Sequence, residues 1–461
     1  MKFRKVALSF IPVLSVLLAA CVRATAVPGT PMQGTSAIKP EARETLEICL
    51  QRVLPATQTF AKYLTSQNLA AWSPDGHTLA YVSTTDHSAE TQAEMRFTPG
   101  RPFNTLEIQA SGEVNNLAWS PEGSRLALSV IRGEDQLFTI LVAGADGSNI
   151  RDLMPGEAAQ TGTGVATKRI HSWWDDSRLL ILAHCGTGCS RPFLLNLLDR
   201  KQTPFFELGR EGEYLGADYM WSPDKKWVVV LSGASPQLGI APGEGGEITW
   251  LSGRGAVNPD WEGFFTFSPS WAPDSSRFAF LRQPSDTSGP PELWVWEVQS
   301  DHAIHLLDGV ASAVWSPLSE DGITVLTLGE PNLAPDGSWQ GVSALPDGPN
   351  ALRMGVYSIN SKKMVAFEDL GETALGYRQP DGFSTQLLPP LWSPDSWRIA
   401  YRDAHNSPLV LSIGYGRANL ETDGELVTGF EWSPDGAMLA VKTENNVWVY
   451  SLPCPGNDHA E

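Results

Sequence analysis

The sequence predicts an all-β chain, a ring of four-stranded antiparallel blades forming an eight-bladed β-propeller. Three observations carry that prediction. A tryptophan followed by an acidic tight turn and a short apolar strand recurs eight times along the 461 residues. The interval between copies is that of one four-stranded blade, and repetition at a fixed period marks stacked supersecondary units. The strands are β-branched and aromatic, which excludes helical repeats.

The anchor tryptophans are Trp72, Trp119, Trp173, Trp221, Trp271, Trp315, Trp392 and Trp432, spaced by 47, 54, 48, 50, 44, 77 and 40 residues. All but one interval suits a single blade with ordinary loops, and the longest carries an insertion near 330–350, where Pro and Gly recur without periodicity. The clearest turns read Trp72-Ser73-Pro74-Asp75-Gly76, Trp119-Ser120-Pro121-Glu122-Gly123 and Trp432-Ser433-Pro434-Asp435-Gly436. Proline presets φ at the first central position, Asp tolerates the second, and Gly takes the left-handed conformation that follows. The strands after the turns, such as Leu79-Ala80-Tyr81-Val82, Leu179-Leu180-Ile181-Leu182 and Leu439-Ala440-Val441, are apolar on both faces, as strands sandwiched between neighbouring sheets must be. A third strand follows in most copies, as in Leu293-Trp294-Val295-Trp296 and Val447-Trp448-Val449-Tyr450.

Several copies are degenerate. Trp173 is followed by Trp174-Asp175-Asp176 without Pro or Gly, and the turns at Trp221, Trp271 and Trp392 end in Lys225, Ser275 and Ser396. Each keeps its apolar strand and counts as a blade; seven blades is the alternative if one motif belongs to a decoration. Only about 20 residues follow Trp432 before the tail, too few for a blade, so residues 55–70 are expected to return and complete the last one, leaving no free edge. The propeller is thus expected over 55–455, with a tail at 456–461. Leu46, Cys49, Leu50 and Val53 share one helical face, which predicts a short capping helix over 41–54.

The W-S-P-D-G unit with its following Leu-Ala-Tyr strand resembles the repeat of TolB and of the propeller domains of prolyl-oligopeptidase-type enzymes. The resemblance covers roughly residues 65–452 and implies four-stranded blades around a central channel. Prolyl-oligopeptidase relatives append a hydrolase domain whose nucleophile elbow reads Gly-x-Ser-x-Gly. That pentapeptide does not occur here. The sialidase-type Asp box is also unmatched, because Asp and Gly are adjacent here and the Trp precedes them.

Residues 1–20 have the layout of a secretory signal: Lys2, Arg4 and Lys5, then an apolar run from Val6 to Leu18 too short for a membrane span. The ending Leu18-Ala19-Ala20-Cys21 resembles the bacterial lipobox, which implies cleavage before Cys21 and lipidation of that residue. Residues 21–40 read as a flexible tether. At about 5–6 Å times the square root of its length, it would hold the body roughly 20–25 Å from a bilayer. The expected address is therefore the bacterial cell envelope, outside the cytoplasm, with membrane attachment through the lipid alone.

Four cysteines remain, Cys49, Cys185, Cys189 and Cys454, and an even number in an exported chain suggests disulfides. Cys185 and Cys189 flank Gly186-Thr187-Gly188, which suits a local bridge; Cys49 and Cys454 bracket the repeats and would tie the ends of the ring. A zinc site at Cys185 and Cys189 lacks a second ligand pair. His302 and His305 lie on opposite faces if they sit on a strand, so no metal site and no cofactor is expected.

The formal charge is −19 and falls to −22 without residues 1–20, which argues against binding nucleic acid or anionic lipid. No catalytic residue stands out, since the acids sit mostly in turns where Asp caps backbone groups. A non-enzymatic scaffold that binds an envelope protein, as a monomer, is the expected function. The candidate binding element is the long interval, with Trp339, Asp336 and Asp347 within or beside it, because long loops carry function disproportionately. The alternative is a carbohydrate-binding or carbohydrate-active propeller with an acidic and aromatic site at the channel mouth. Three or more carboxylates converging in a deep channel would favour the enzyme; an apolar rim would favour the scaffold.

Overall fold

The computed structural model describes residues 48–56, 69–86, 93–132, 137–154, 168–186, 189–205, 216–232, 237–252, 259–261, 263–285, 290–336, 338–343, 350–373, 388–413 and 416–452. The signal, the tether with Cys21, Cys454 and the tail at 456–461 lie outside the described residues. Eight four-stranded sheets and one two-stranded hairpin account for nearly all of it. Pro259–Trp261 is a single short 3-10 turn among the described residues. The architecture is an eight-bladed β-propeller.

Each blade begins with a strand that ends at or just beyond an anchor tryptophan. In chain order these are Ala70–Trp72, Glu113–Trp119, Lys168–Asp175, Gly216–Trp221, Phe264–Trp271, Val310–Trp315, Leu391–Trp392 and Val427–Trp432. We number the blades 1 to 8 in this order. Those of blades 8 and 1 to 4 line one cavity, which marks the first strands as innermost. The tight turn follows, then the apolar second strand. Leu79, Leu126, Leu179, Val228, Phe278, Ile399 and Leu439 on these second strands are fully buried between sheets. Each such burial contributes about 1.5–3 kcal/mol, so the ring is held by apolar packing between blades. The degenerate copies at Trp173, Trp221, Trp271, Trp315 and Trp392 all form complete blades.

The ring closes with a strand from the N-terminal side, but not with residues 55–70. Cys49–Pro55 pairs antiparallel with Asn446–Ser451, from Cys49 opposite Ser451 to Pro55 opposite Asn446, and supplies the outermost strand of blade 8. The helix expected over 41–54 is thereby corrected for Cys49 to Leu54; residues 41–47 lie outside the described residues. The register shifts between Leu50 and Arg52, so the strand carries a bulge. A bulge breaks the period of two, and an apolar set out of phase with a strand reads as helical spacing. Of the supposed helical face, Leu50 and Val53 face solvent, while Leu54, outside it, is buried.

Two blades depart from a simple meander. In blade 1 the order is Ala70–Trp72, Thr78–Asp86, Asn104–Ser111, Glu94–Thr98. The chain goes first to the outer edge and then returns, so Thr78–Asp86 and Asn104–Ser111 run parallel. The return places Phe103 edge-on to Trp72, with ring centroids 5.1 Å apart. In blade 6 a hairpin, Glu330–Leu333 with Trp339–Ser343, is inserted between the second strand, Gly322–Leu328, and the third, Asn350–Ser358. This hairpin accounts for part of the 77-residue interval.

Candidate functional site

The repeat acids are committed to the turns. In blade 1 the Ser73 hydroxyl donates to Asp75 Oδ1 (2.5 Å) and accepts from the Thr78 N–H (2.9 Å), while Asp75 Oδ1 also accepts from the His77 N–H (3.0 Å). Ser222 with Asp224, Ser393 with Asp395 and Ser433 with Asp435 repeat the device. The Ser73 hydrogen bond holds the Asp75 carboxyl below its ordinary value, against an opposing effect of partial burial. Such a carboxylate is ionised and saturated, poorly suited to acid–base work.

The anchor tryptophans form a second repeated device. The indole N–H of Trp119 donates to the carbonyl of Ala71 (3.0 Å), that of Trp173 to Ala118 (2.9 Å), Trp271 to Met220 (3.0 Å), Trp392 to Val314 (3.4 Å) and Trp432 to Leu391 (3.2 Å). In every case the acceptor is the residue just before the anchor of the preceding blade. Three anchors break the pattern. Trp72 Nε1 is buried without a partner, and Trp315 turns to Ser319 O in its own long turn (2.9 Å). Trp221 turns to Gly243 O in its own blade (2.9 Å). Two of these breaks, at Trp72 and Trp221, line the cavity.

The cavity measures about 940 Å³ and is walled by the innermost strands of blades 8, 1, 2, 3 and 4. The turn prolines Pro74, Pro121 and Pro223 also line it, so it reaches the turn end of the ring. Trp221 is the hub of its aromatic wall: His171 (5.4 Å), Trp174 (6.0 Å) and Phe205 (5.3 Å) meet it edge-on, and Tyr219 lies tilted at 6.0 Å. Where Trp221 does not bridge blades 3 and 4, His171 does, with Nε2 2.8 Å from Tyr219 O. An N–H on Nε2 donates to that carbonyl and leaves Nδ1 to accept from the Ser172 hydroxyl at 3.2 Å. Burial pushes the His171 pKa below its ordinary value, outweighing the pull of Asp218 and of the Tyr219 carbonyl, so the ring is neutral at pH 7.

Two carboxylates line the cavity, Asp218 on blade 4 and Glu431 on blade 8. Asp218 pairs with Arg169 (3.3 Å), and Glu431 pairs with Lys442 (2.5 Å) while accepting the Trp72 backbone N–H (3.1 Å). This wall can stack, hydrogen-bond and balance charge around a bound molecule. Among the described residues that line it, Asp218 and Glu431 are the carboxylates, and each is held in an ion pair. Among the described residues no group of three or more His, Cys, Asp or Glu could hold a metal ion.

The candidate binding element lies elsewhere. Asp336 caps the turn of the inserted hairpin, accepting from the N–H (3.0 Å) and hydroxyl (2.7 Å) of Ser338, with Lys363 at 3.7 Å. Trp339 is half-buried against the core between blades 5 and 6, and its indole N–H donates to Asp308 O (3.1 Å). Asp347 lies outside the described residues. Of the other tryptophans away from the anchors, Trp261 is buried and, with Phe264 and Trp294, surrounds the Arg282 guanidinium, which also pairs with Glu292 (2.6 Å). Trp397 is exposed. His302 and His305 share the strand His302–Asp308, where His305 pairs with Asp308 (2.9 Å). Cys49 opens the closing strand, and Cys189 opens a strand opposite Gly186. Sequence reasoning missed the cavity residues Asn116, Arg169, His171 and Asp218, because their strands precede the turns that define the repeat. The available signal was the doubled Trp173-Trp174, where the turn loses both Pro and Gly.

No protein-family model matches the chain, and among curated proteins no sequence relative is found. Among solved structures, the C-terminal WD40 domain of Sif2 is similar with a TM-score of 0.52 at 15% identity, covering 88% of this chain and 99% of that one. The Dos1 propeller is similar with a TM-score of 0.47 at 11% identity, over 87% and 95%. TolB from Acinetobacter baumannii has a TM-score of 0.34 at 15% identity, over 71% and 64%. At these identities the likeness speaks to the fold alone, and the fold it supports is the β-propeller.

Proposed function

We propose that the chain is an extracytoplasmic lipoprotein, acylated at Cys21 and tethered to a membrane of the bacterial envelope, whose propeller is a non-enzymatic scaffold for an envelope protein. One observation carries the scaffold reading. Of the four most exposed large apolar side chains among the described residues, three sit in turns at one end of the blades: Leu198 at 93%, Leu318 at 68% and Trp397 at 60% exposure. Turns from first to second strand and from third to fourth emerge at the same end of an antiparallel blade, so these side chains share one face. Leu318 and Trp397 belong to interlocked turns, because the Leu318 N–H donates to the Ser396 hydroxyl (3.0 Å). Exposed aromatic and aliphatic side chains on rigid turns are the anchors that protein interfaces use.

The four remaining cysteines then pair as Cys49 with Cys454 and Cys185 with Cys189. Support comes from register, which sets Cys49 opposite Ser451 and Cys189 opposite Gly186.

Affinity capture from envelope extracts tests the scaffold. The doubly substituted Leu318→Ser, Trp397→Ser chain is expected to fold normally and lose its captured protein. An unchanged capture would remove the turn face from consideration, and a parallel deletion of residues 330–350 asks the same of the inserted hairpin. Replacing Cys21 by Ser is expected to release the chain into the soluble fraction; continued membrane association would sink the lipoprotein reading.

A further inference from the structure

The channel cavity has a composition unlike the rest of the molecule. Its wall carries Arg169, Lys225 and Lys442 against Asp218 and Glu431, one positive charge in surplus, in a chain whose formal charge is −19. Four of these five groups form two ion pairs, Arg169 with Asp218 and Lys442 with Glu431. Lys225 is the remaining cation. Its ammonium donates to Trp174 O (2.5 Å) and lies 4.9 Å from the centre of the Trp174 ring, with no carboxylate in ion-pair reach among the described residues. A cation held only by a carbonyl and a π face is neutralised by neither and attracts an anion.

The wall also discriminates between kinds of ligand. Peptides are commonly read through free backbone groups at a strand edge. Here each innermost strand pairs with its sheet along one edge only, but much of the other edge is taken by side chains: the carbonyls of Ala71, Ala118 and Met220 accept indole N–H groups from the next blade, those of Ile170 and Tyr219 meet Asn116 and His171, and the Trp72 N–H donates to Glu431. What faces a ligand is therefore side chains. Trp174 and Trp221 are half-buried and offer indole surface. The Asp218 carboxylate is 48% exposed and keeps capacity beyond Arg169. Asn116 is fixed by its own donation to Ile170 O (2.6 Å). Apolar ring faces beside planar polar groups match a sugar, which has an apolar C–H face and a rim of hydroxyls. The volume lies within the ~300–1,000 Å³ of small-molecule pockets.

We propose that the turn end of this channel binds a short anionic saccharide, with the sugar ring against Trp174 and Trp221 and its anionic group on Lys225. The anionic group is a carboxylate or a phosphate; both are oxyanions that a lysine ammonium accepts. The site is independent of the turn-face scaffold, since it shares no residue with Leu318 or Trp397.

Titration calorimetry on the folded chain tests it, with trigalacturonate and glucose 6-phosphate as the two anionic probes and maltotriose as the neutral one. One or both anionic probes are expected to bind with 1:1 stoichiometry, and maltotriose at least about tenfold more weakly. Lys225→Gln removes the charge but keeps a polar side chain, one atom shorter, on an exposed turn, and is expected to weaken the anionic probe about tenfold while leaving the melting temperature unchanged. Trp174→Ala is expected to weaken all sugars together. Near-ultraviolet circular dichroism shows whether that variant retains its aromatic packing, and Lys225→Gln stands alone if it does not. No binding of either anionic probe at millimolar concentration would overturn the proposal. So would equal affinity for maltotriose, or an affinity unmoved by Lys225→Gln.

Discussion

At Trp119 an indole N–H crosses from one blade to the next and satisfies the carbonyl of Ala71, whereas at Trp72 the equivalent N–H is buried and unpartnered. The same substitution should therefore cost different amounts at the two sites. Trp119→Phe strands a buried carbonyl and loses a hydrogen bond, a cost of about 1–2 kcal/mol beyond the change in packing. Trp72→Phe removes a donor that has no acceptor, which offsets much of the packing loss, so this variant is expected to be the more stable of the two. Urea unfolding followed by circular dichroism measures the difference, and equal losses would show that the indole N–H groups contribute nothing. The role of tryptophan as blade packing was legible in the repeat. The hydrogen-bond relay was not, because the acceptor is a backbone carbonyl about 50 residues away. Nor was the part played by the serine after each anchor, since Ser73 acts through its hydroxyl on both Asp75 and the Thr78 N–H.

Turns touch turns around the ring, and degeneracy in the repeat is compensated there. Where the fifth position is glycine, as at Gly76 and Gly123, φ is near +70° and the preceding blade's proline stands against it, so an added Cβ would meet Pro434 or Pro74 at 3.6 and 3.3 Å. Where it is serine, as at Ser275 and Ser396, φ is +63° and +60°, a conformation costing a non-glycine residue about 1 kcal/mol or more. The hydroxyl answers that cost: Ser275 Oγ accepts from the Asp224 N–H (3.0 Å) and Ser396 Oγ from the Leu318 N–H (3.0 Å), each from the preceding blade. Ser275→Gly relieves the strain while losing the bond and should be close to neutral. Ser275→Ala keeps the strain and loses the bond, so it should be the less stable by about 1 kcal/mol. Thermal melting of the two variants decides it; an alanine variant as stable as the glycine one would refute the latch. Reading such copies as blades rather than loops was sound because their apolar strands survive. The element that misled was Cys49–Pro55, where a bulge disguised a strand as one face of a helix.

Over the whole molecule, the channel cavity does not lie where the spacing is most irregular. The 77-residue interval carries a hairpin whose Trp339 packs against the ring, while the cavity lies along blades of ordinary length whose indole relay is interrupted at Trp72 and Trp221. Length reports insertions, and the insertion does not accompany the channel. Closure of the ring is a property of the same scale. Asn446–Ser451 carries Val447, Trp448, Val449 and Tyr450, and its outer edge is covered by Cys49–Pro55 alone. Removing residues 49–55 leaves that apolar strand as an open edge, a template for pairing with another chain. It also removes Leu54 from the core shared with Trp72 and Phe103. The shortened chain is therefore expected to elute from size exclusion as dimers or larger species. A synthetic peptide of residues 49–55, with serine in place of Cys49, is expected to restore the monomer when added in excess, because it reforms the same antiparallel register. A shortened chain that stays monomeric and melts at the full-length temperature would mean that the ring closes without its N-terminal strand.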